Sequence, residues 1–459
     1  MNEPKQHRPV EILQQLIRFD TTNPPGNERA CIEFIEQLLT TAGIQTETIA
    51  QSEQRPNLIA RLPGSGHAPP LLLYGHADVV PTAHQTWTHP PFAGQLIEGY
   101  VWGRGALDMK GGLAMMITAL LRAATRQIIP AGDVVLAVVA DEEAGGSHGA
   151  RFLVEQHPRL FEGVRYAIGE FGGFPLRIAG QTFYLIQVGE KAPCWLEATV
   201  KGPAGHGARP MRDGAMAALG RLLSRLNHLR LPIHITPIVR EMIESVAVSL
   251  PLPKRAILRR LLNPLWTDRI LTLLGETGRN LEPLFRNTVN ATIVQGGERP
   301  NVIPSEIVVG LDARLLPGAT PDDLLHELRP HVGTDLDIVV QYHDVSTADP
   351  DFGLLDLLRG LLHQADPNAT AIPYLLPGSS DSRHFSRLGI QTYGFTPMNL
   401  CEEFHFFQTI HAANERIPAT AVAFGADVLF SLIEQYGASA TDTDSAMRRS
   451  SATARYPHR

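Results

Sequence analysis

Five short motifs offer a carboxylate or an imidazole wherever a two-metal site would need a ligand. The motifs and their residues are YGHADVVP (His76, Asp78), GRGALDMKGG (Asp108), ADEEAGG (Glu142, Glu143), AIGEFGG (Glu170) and TIHAANE (His411). Counted without Asp78 and Glu142, they supply two histidines and three carboxylates, a balanced set for two divalent ions that share one bridging carboxylate. Oxygen ligands mixed with imidazole suit Zn²⁺, with Mn²⁺ or Co²⁺ as substitutes. The pattern is therefore typical of a hydrolase that binds two zinc ions.

Each motif alone also has an ordinary structural explanation. A His-x-Asp pair after a strand is often only a polar strand end, and DEE can form a solvated turn or cap a helix. Asp108 can pair with Lys110, Glu170 can lie in a turn between glycines, and His411 can lie on the surface. Taken together, these explanations require five coincidences in one chain, which favours the metal site.

Length and composition indicate an ordinary globular protein of two domains. The chain has 459 residues, of which 44% are hydrophobic and 19% charged. The net charge of -7, with acids and bases interspersed, argues against a nucleic-acid partner. The scattered Cys31, Cys194 and Cys401 favour neither a disulfide framework nor a thiolate zinc site. With no signal-peptide pattern and no apolar run near ~20 residues, we expect a cytoplasmic protein without a membrane partner.

Helical and strand patterns alternate in the first part of the chain. Helical spacing at 9–19 and 28–43 is followed by strand-like segments at 57–62 and 69–78, and later by DVVLAVV and RYAIG. This alternation predicts an α/β sheet with parallel central strands. The acids and His76 follow apolar strands directly, and the carboxyl ends of parallel strands meet at one edge of a sheet. We therefore expect these groups to converge, with Asp108 joining them from a Gly-rich turn before a helix.

A second domain is predicted inside the first. From about Gln187 the strands alternate apolar and polar residues around two helices, which indicates an inserted α+β domain with one solvated sheet face. We expect a catalytic domain at 1–187 and 345–436, the insert at 188–344, an extra helical stretch at 231–286 and a disordered tail at 437–459.

The five motifs, in this order and spacing, resemble those of the dinuclear zinc amidohydrolases and peptidases. That family includes aminoacylase, acetylornithine deacetylase, succinyl-diaminopimelate desuccinylase and the glutamate carboxypeptidases. The resemblance covers roughly residues 10–435, and the 231–286 stretch is more similar to the longer carboxypeptidase S and N-acyl-amino-acid hydrolase branch. It implies a discontinuous zinc-peptidase domain with a mixed, mainly parallel sheet, and an inserted ferredoxin-like lid and dimerisation domain.

The resemblance also implies a role for each site residue. One zinc would be held by His76, Asp108 and Glu170, and the other by Asp108, Glu143 and His411, with Asp108 bridging. Glu142 would be the general base for a zinc-bound hydroxide, and Asp78 would orient His76.

Three further residues match positions near the substrate in the family. His206 in GPAGHGARP would polarise the scissile carbonyl in a partner subunit, Arg383 in GSSDSRHF would pair with the substrate carboxylate, and Asn301 in RPNVIP would lie nearby. The alternatives are a turn histidine, a structural salt bridge to Asp381 and an asparagine that closes a turn. Ala208 and the PGSSDSR segment depart from the family's usual Ser or Thr and PGGTDAR, which concerns the substrate pocket and not the metal ligands.

These residues predict a homodimeric, metal-dependent hydrolase for a small-molecule substrate. The substrate would be an N-acyl amino acid or a short peptide with a free carboxylate. One alternative is a deacetylase or desuccinylase acting on an amino-acid biosynthetic intermediate. Another, from a different class, is a catalytically silent homologue that acts as a binding protein, although such a protein would be expected to lose Glu142 or a ligand.

Overall fold

The computed structural model describes residues 8–178, 180–333, 336–346 and 349–437. The predicted tail at 437–459 lies outside these residues, except for Gly437. The chain divides into two compact units. Among the described residues, the first unit contains those of 8–188, 351–372 and 380–437, and the second contains those of 189–350 and 373–379.

The strands of the described residues are numbered in chain order. They are β1 (Gln45–Ile49), β2 (Asn57–Leu62), β3 (Leu71–His76), β4 (Gln95–Ile97), β5 (Tyr100–Trp102), β6 (Val134–Val139), β7 (Tyr166–Gly169), β8 (Pro175–Ile178), β9 (Gln181–Glu190), β10 (Ala192–Lys201), β11 (Gly205–His206), β12 (Thr288–Gln295), β13 (Val302–Ile303), β14 (Glu306–Leu315), β15 (Asp337–His343), β16 (Thr370–Leu376), β17 (Gln391–Gly394) and β18 (Arg416–Pro418).

The α-helices are numbered in the same way. They are α1 (Pro9–Arg18), α2 (Arg29–Thr41), α3 (Lys110–Thr125), α4 (Ala150–Gln156), α5 (Ala215–Asn227), α6 (Pro237–Val248), α7 (Leu252–Arg259), α8 (Pro264–Leu273), α9 (Glu276–Leu281), α10 (Pro321–Val332), α11 (Leu355–Ala365), α12 (Ser382–Ser386), α13 (Phe406–Thr409) and α14 (Ala419–Gln435).

The first unit is built around a mixed sheet with a parallel centre. Its strand order is β1-β2-β6-β3-β7-β17-β9-β16, and β8 pairs with β9. Neighbours are parallel from β6 through β3 and β7 to β17, whereas β1, β2 and β9 pair antiparallel. The predicted α/β class is therefore confirmed, with four parallel strands at the centre of the sheet.

Burial on both faces explains the uninterrupted apolar runs of the central strands. Every residue of β3 and β6 is buried. On one face, Leu72 and Tyr74 pack in a cluster with Phe152 of α4 and Phe385 of α12. Helix α3 contacts β3 and also packs against α1 and α14. Because α3 has neighbours on several sides, it is apolar nearly all round, as a central helix must be.

The second unit has an antiparallel sheet of order β12-β14-β10-β15. Its inward side chains alternate along β10 and β14 and form a core with α5 and α10 that includes Leu196, Leu222, Leu311 and Leu328. The outward side chains are exposed or half-buried, which accounts for the alternating sequence pattern. Helices α6 to α9 occupy most of the 231–286 stretch. No described helix combines the length and apolarity that crossing a bilayer requires.

Candidate metal centre

The parallel strands bring the sequence-predicted acids and His76 to one edge of the sheet. His76 is the last residue of β3, Glu170 follows β7 directly, and Glu142 and Glu143 follow β6. Glu142 and Glu143 lie in a short 3-10 turn, Glu142–Ala144, and not at the strand end itself. Since β6, β3 and β7 are adjacent and parallel, their carboxyl ends place these side chains together.

Asp108 contacts both histidines. Its Oδ1 lies 3.0 Å from Nε2 of His76, and its Oδ2 lies 3.1 Å from Nε2 of His411. Glu170 Oε2 is 3.3 Å from the same nitrogen of His76, and Glu143 Oε1 is 3.4 Å from that of His411. Three groups result, in each of which the possible ligand atoms lie within 4.8 Å of one another: His76–Asp108–Glu170, Asp108–Glu143–His411 and His76–Glu142–Glu143. The first two together contain the five ligands predicted from the sequence. Asp108 belongs to both groups.

The donors of this cluster fit divalent cations. Glu170 is 4% exposed, and its Oε1 accepts no hydrogen bond from any described residue. Such an oxygen is costly to bury unless another group compensates it. The set of carboxylate oxygens and imidazole nitrogens is one that Zn²⁺ accepts. The cluster is therefore a candidate metal centre.

The pKa values within the cluster reflect the crowding of its acids. Burial raises the pKa of Glu170 to about 8, and it raises those of Glu142 and Glu143 as well. Hydrogen bonds with Asp108 and Glu143 raise the pKa of His411 to about 10. Burial opposes protonation of His76, but the carboxylates around it outweigh burial and hold its pKa well above the usual range. All these shifts favour added positive charge, which a bound cation supplies.

Asp78 contacts its predicted partner His76 and also other residues of the site. β3 ends at His76, so Asp78 lies beyond the strand. The Nδ1 of His76 lies 3.0 Å from the carbonyl oxygen of Asp78 and 3.5 Å from its carboxylate. That carboxylate accepts the N–H groups of Glu142 and Glu143 at 3.1 and 3.2 Å. Asp78 thus holds the turn that carries the two glutamates as well as His76.

Asn23 supports this turn, and the sequence did not identify it as a residue of the site. Its Nδ2 donates to Asp78 (2.8 Å) and to Asp141 (3.1 Å). Asp141 also pairs with Arg55 at 2.8 Å, and Arg55 pairs with the buried Glu28. The only sequence signal was the polar DTTNPPGNE loop after α1, which resembles many solvated loops and gave no reason to single out Asn23.

A buried Arg104–Glu415 pair connects two ligand-bearing segments, and the sequence analysis missed it too. Glu415 Oε1 accepts the N–H groups of Leu107 (2.8 Å) and Asp108 (3.2 Å), and its other oxygen pairs with Arg104. Arg104 also donates to the carbonyl oxygen of His411 at 3.1 Å. The TIHAANE motif contained Glu415, but nothing in its spacing indicated a partner more than 300 residues earlier.

His411 also has a restricted backbone. Its φ is 58°, in the left-handed region that costs a side-chain-bearing residue about 1–3 kcal/mol. The carbonyl oxygen of His411 accepts hydrogen bonds from Gln85 (2.8 Å) as well as Arg104. These bonds hold a conformation that directs the imidazole, half-exposed as it is, toward Asp108 and Glu143.

The GSSDSRHF segment lies beside the acids of the cluster. The charge of Asp381 contributes to the raised pKa values of Glu142 and Glu170, so Asp381 is close to both. His384 is fully buried, with Nε2 3.8 Å from Asp381. Arg383 is half-buried, and its Nη1 donates to the carbonyl oxygen of Ser380 at 2.9 Å. The sequence analysis gave Asp381 no role in the site, although it lies nearer the acids than was anticipated.

His206 and Asn301 lie side by side in the second unit. β11 pairs with β13, and the N–H of Gly207 donates to the carbonyl oxygen of Asn301 at 2.9 Å. His206 is exposed, and its Nδ1 accepts the N–H of Ala208 at 3.1 Å. The two predicted substrate residues thus share one local structure, and their contribution to substrate binding stays a prediction.

An α/β sheet with carboxylates and imidazoles at the carboxyl edge of its parallel strands defines a class of metal-dependent hydrolases. Comparison with known proteins agrees. The profile of Peptidase family M20/M25/M40 matches residues 72–435. The human N-fatty-acyl-amino acid synthase/hydrolase PM20D1 is 30% identical over 95% of this chain and 88% of its own length. The probable carboxypeptidase S-like 2 of Dictyostelium discoideum is 28% identical over 76% of this chain and 68% of its own.

A solved structure agrees in fold. The M20 family metallo-carboxypeptidase Sso-CP2 from Sulfolobus solfataricus superposes with a TM-score of 0.67 at 17% identity, covering 95% of this chain and all of its own. The chain belongs to Peptidase family M20/M25/M40, and its relatives include the predicted carboxypeptidase S and N-acyl-amino-acid hydrolase branch. It is a hydrolase that acts on amide bonds.

Replacing Glu415 by glutamine should weaken metal binding without removing a ligand. The change leaves the Arg104 charge buried without its partner and loosens the segments that carry Asp108 and His411. We expect zinc affinity to fall ~10–100-fold, as for other residues that orient ligands, and stability to fall by about 3–5 kcal/mol. Chelator competition and urea unfolding measure the two effects, with the exposed Glu434→Gln as control. Unchanged zinc affinity in a folded Glu415→Gln protein would show that the pair does not position the ligands.

Proposed function

We propose that this protein is a two-zinc hydrolase that cleaves the amide bond of an N-acyl amino acid or short peptide with a free carboxylate. The observation that carries the proposal is the pair of ligand groups that share Asp108. In the proposed assignment His76, Asp108 and Glu170 would hold one ion, and Asp108, Glu143 and His411 would hold the other. Mn²⁺ and Co²⁺ are the proposed substitutes because the same oxygen and nitrogen ligands accept them.

Metal ions held by these residues would supply Lewis acidity for activating water and a carbonyl group near neutral pH. Glu142 acts as the general base, taking a proton from the attacking water and returning it to the leaving nitrogen. Burial and the charge of Glu170 raise the pKa of Glu142 well above the usual glutamate range. A raised pKa makes its carboxylate a better proton acceptor. The hydrogen bonds from Glu142 and Glu143 N–H groups to Asp78 hold the base in place.

Three residues are proposed to bind the substrate. Arg383 is proposed for the substrate carboxylate because a guanidinium binds a carboxylate with two parallel hydrogen bonds. His206 is proposed to stabilise the developing oxyanion, and Asn301 to bind beside it. The hydrogen bond from Gly207 to Asn301 supports a joint role for His206 and Asn301, because it ties their two strands together.

The names of the relatives support the substrate class. One is a synthase/hydrolase of N-fatty-acyl amino acids, another is named aminoacylase-1, and a third is carboxypeptidase S-like. Their shared chemistry is an amide nitrogen next to a carbon that bears a carboxylate. We propose that this chain acts on that chemistry.

We also propose that the chain forms a homodimer through its second unit. β12 is an edge strand of that unit, and it exposes about half of Ile293 and Val294. An edge with unpaired backbone groups and apolar side chains pairs readily with another chain. The partner subunit would complete the site through His206, as the family resemblance implies.

Light scattering tests the dimer directly. The purified chain is expected to have twice the chain mass of 50.2 kDa. Ile293→Asp should give monomers, because a charge in a paired edge opposes association. Val339→Asp, which changes an equally exposed valine on the opposite edge strand β15, should leave the dimer intact. A monomeric unmodified chain would disprove the dimer.

Metal removal together with a substrate panel tests the function. We expect about two zinc ions per chain by elemental analysis, and hydrolysis of N-acyl amino acids or dipeptides that is lost on chelation and restored by zinc. The panel includes substrates without the carboxylate and N-succinyl and N-acetyl biosynthetic intermediates. A metal-loaded, folded protein that cleaves none of these would contradict the proposal. Cleavage of the intermediates alone would favour the deacetylase or desuccinylase alternative.

Replacing each of the two adjacent glutamates by glutamine, one at a time, distinguishes the proposed base from the proposed metal ligand. Glu142→Gln should lower kcat by about 10²–10⁴-fold and leave zinc content unchanged. Glu143→Gln should reduce zinc content, because it removes a ligand. Since the base must be ionised, wild-type kcat/KM should decrease as the pH falls through the pKa of Glu142 in the metal-loaded enzyme. Full activity in a zinc-loaded Glu142→Gln protein would exclude Glu142 as the base.

A further inference from the structure

The helical stretch of the second unit exposes several large apolar side chains close together in sequence. In α7 no residue is buried. Leu265 and Leu273 of α8 are 82% and 85% exposed. Single exposed apolar residues are ordinary, but a cluster of them marks an interaction surface. The exposed apolar members between residues 252 and 273 are Leu252, Ile257, Leu265, Trp266 and Leu273.

Cations alternate with these apolar residues along a continuous line. Lys254 and Ile257 of α7 lie three residues apart, and Arg260, which directly follows α7 with helical backbone, lies three residues further, so these neighbours share one helix face. The Arg260 guanidinium lies 5.6 Å from the Trp266 ring centre, and that of Arg269 lies 5.4 Å from it. Leu273 follows Arg269 by one helical turn. We name this line the basic–apolar strip, and its members are Lys254, Ile257, Arg260, Trp266, Arg269 and Leu273.

The strip is positive in a chain that is negative. Residues 248–274 contain five basic residues and one acidic residue, a formal charge of +4, whereas the whole chain has -7. Two of the five cations have partners nearby. Arg255 donates to the carbonyl oxygens of Ala247 and Val248, and Arg259 pairs with Glu244 at 2.8 Å. Lys254, Arg260 and Arg269 are exposed and belong to the strip.

We propose that the basic–apolar strip docks this protein onto the surface of an anionic lipid bilayer. Exposed apolar side chains enter the interfacial region, while lysine and arginine bind anionic headgroups. Trp266 suits this depth because an indole prefers the boundary between headgroups and acyl chains. The guanidinium groups of Arg260 and Arg269, which lie beside its ring, would be at the depth of the headgroups. The proposal is independent of amide hydrolysis, and it differs from the expectation of no membrane partner that was drawn from the sequence.

Charge favours a bilayer over a second copy of the chain. In a symmetric dimer the same surface occurs on both subunits, so two strips would face each other. Each strip carries three cations, Lys254, Arg260 and Arg269, and like charges at an interface repel. An anionic bilayer has the complementary charge. Its attraction should decrease with salt, because exposed charges are screened within about 10 Å at 0.1 M ionic strength.

Sedimentation with vesicles tests the proposal. Metal-loaded full-length protein is mixed with phosphatidylcholine vesicles that either contain phosphatidylglycerol or lack it. We expect binding only to the phosphatidylglycerol vesicles, and weaker binding as salt increases. The triple variant K254Q/R260Q/R269Q should bind about a hundredfold more weakly, since each cation near an anionic surface contributes about fivefold. The control variant K201Q/R221Q/R329Q removes the same charge from exposed positions of the second unit and should bind like the wild type.

Trp266 provides a second readout that does not depend on charge. On binding, the tryptophan emission of the wild type should shift to shorter wavelength. Trp266→Phe should abolish the shift and keep most of the binding, because phenylalanine also enters the interface. Thermal unfolding of all variants shows that they are folded.

Three outcomes would overturn the proposal. The first is a folded wild type that does not sediment with phosphatidylglycerol vesicles. The second is equal weakening in the triple variant and its control, which would mean attraction to overall charge. The third is that the wild type binds no vesicles and forms a dimer that the triple variant loses. That result would mean that the strip binds a second copy of the chain.

Discussion

The carboxylate of Asp108 offers one oxygen to His76 and the other to His411, so it joins the two ligand groups of the candidate site. The residues come from positions separated by more than 300 residues, yet their ligand atoms lie within a few ångströms. Burial raises the pKa values of Glu143 and Glu170, and the nearby charge of Asp108 raises them further. Such a cluster is stable only if the fold holds it and a cation compensates its charge.

Hydrogen-bonded pairs outside the ligand set provide much of this support. Glu415 accepts the backbone N–H of Asp108, and Arg104 connects that carboxylate to the carbonyl oxygen of His411. Asp78 likewise joins the end of β3 to the turn that carries Glu142 and Glu143. Each pair links segments that no local rule brings together. A charged pair of this kind suits positioning, because its geometry is directional where apolar packing is not.

The second unit differs from the site of the first in that apolar and basic side chains are exposed in it. Its sheet has one packed face, and its helical stretch leaves leucines, a tryptophan and several cations in solvent. Burying the cations within the unit would leave their charges without water or a partner. Exposing the whole stretch therefore costs less free energy for an isolated chain. An anionic lipid surface removes the apolar side chains from water and also pairs with the cations, because it accepts the two kinds of side chain at neighbouring depths.

The sequence alone determined the α/β class, the family and the residue types of the site. Apolar runs bounded by acids predict parallel strands with polar ends, and that periodicity is local. Tertiary structure decided what depends on distant contacts: the Arg104–Glu415 pair, the Asn23 bonds to Asp78 and Asp141, and the placement of Asp381 near Glu142. A hydrogen bond or ring contact across many residues leaves no periodic signal, so only the folded chain reveals it.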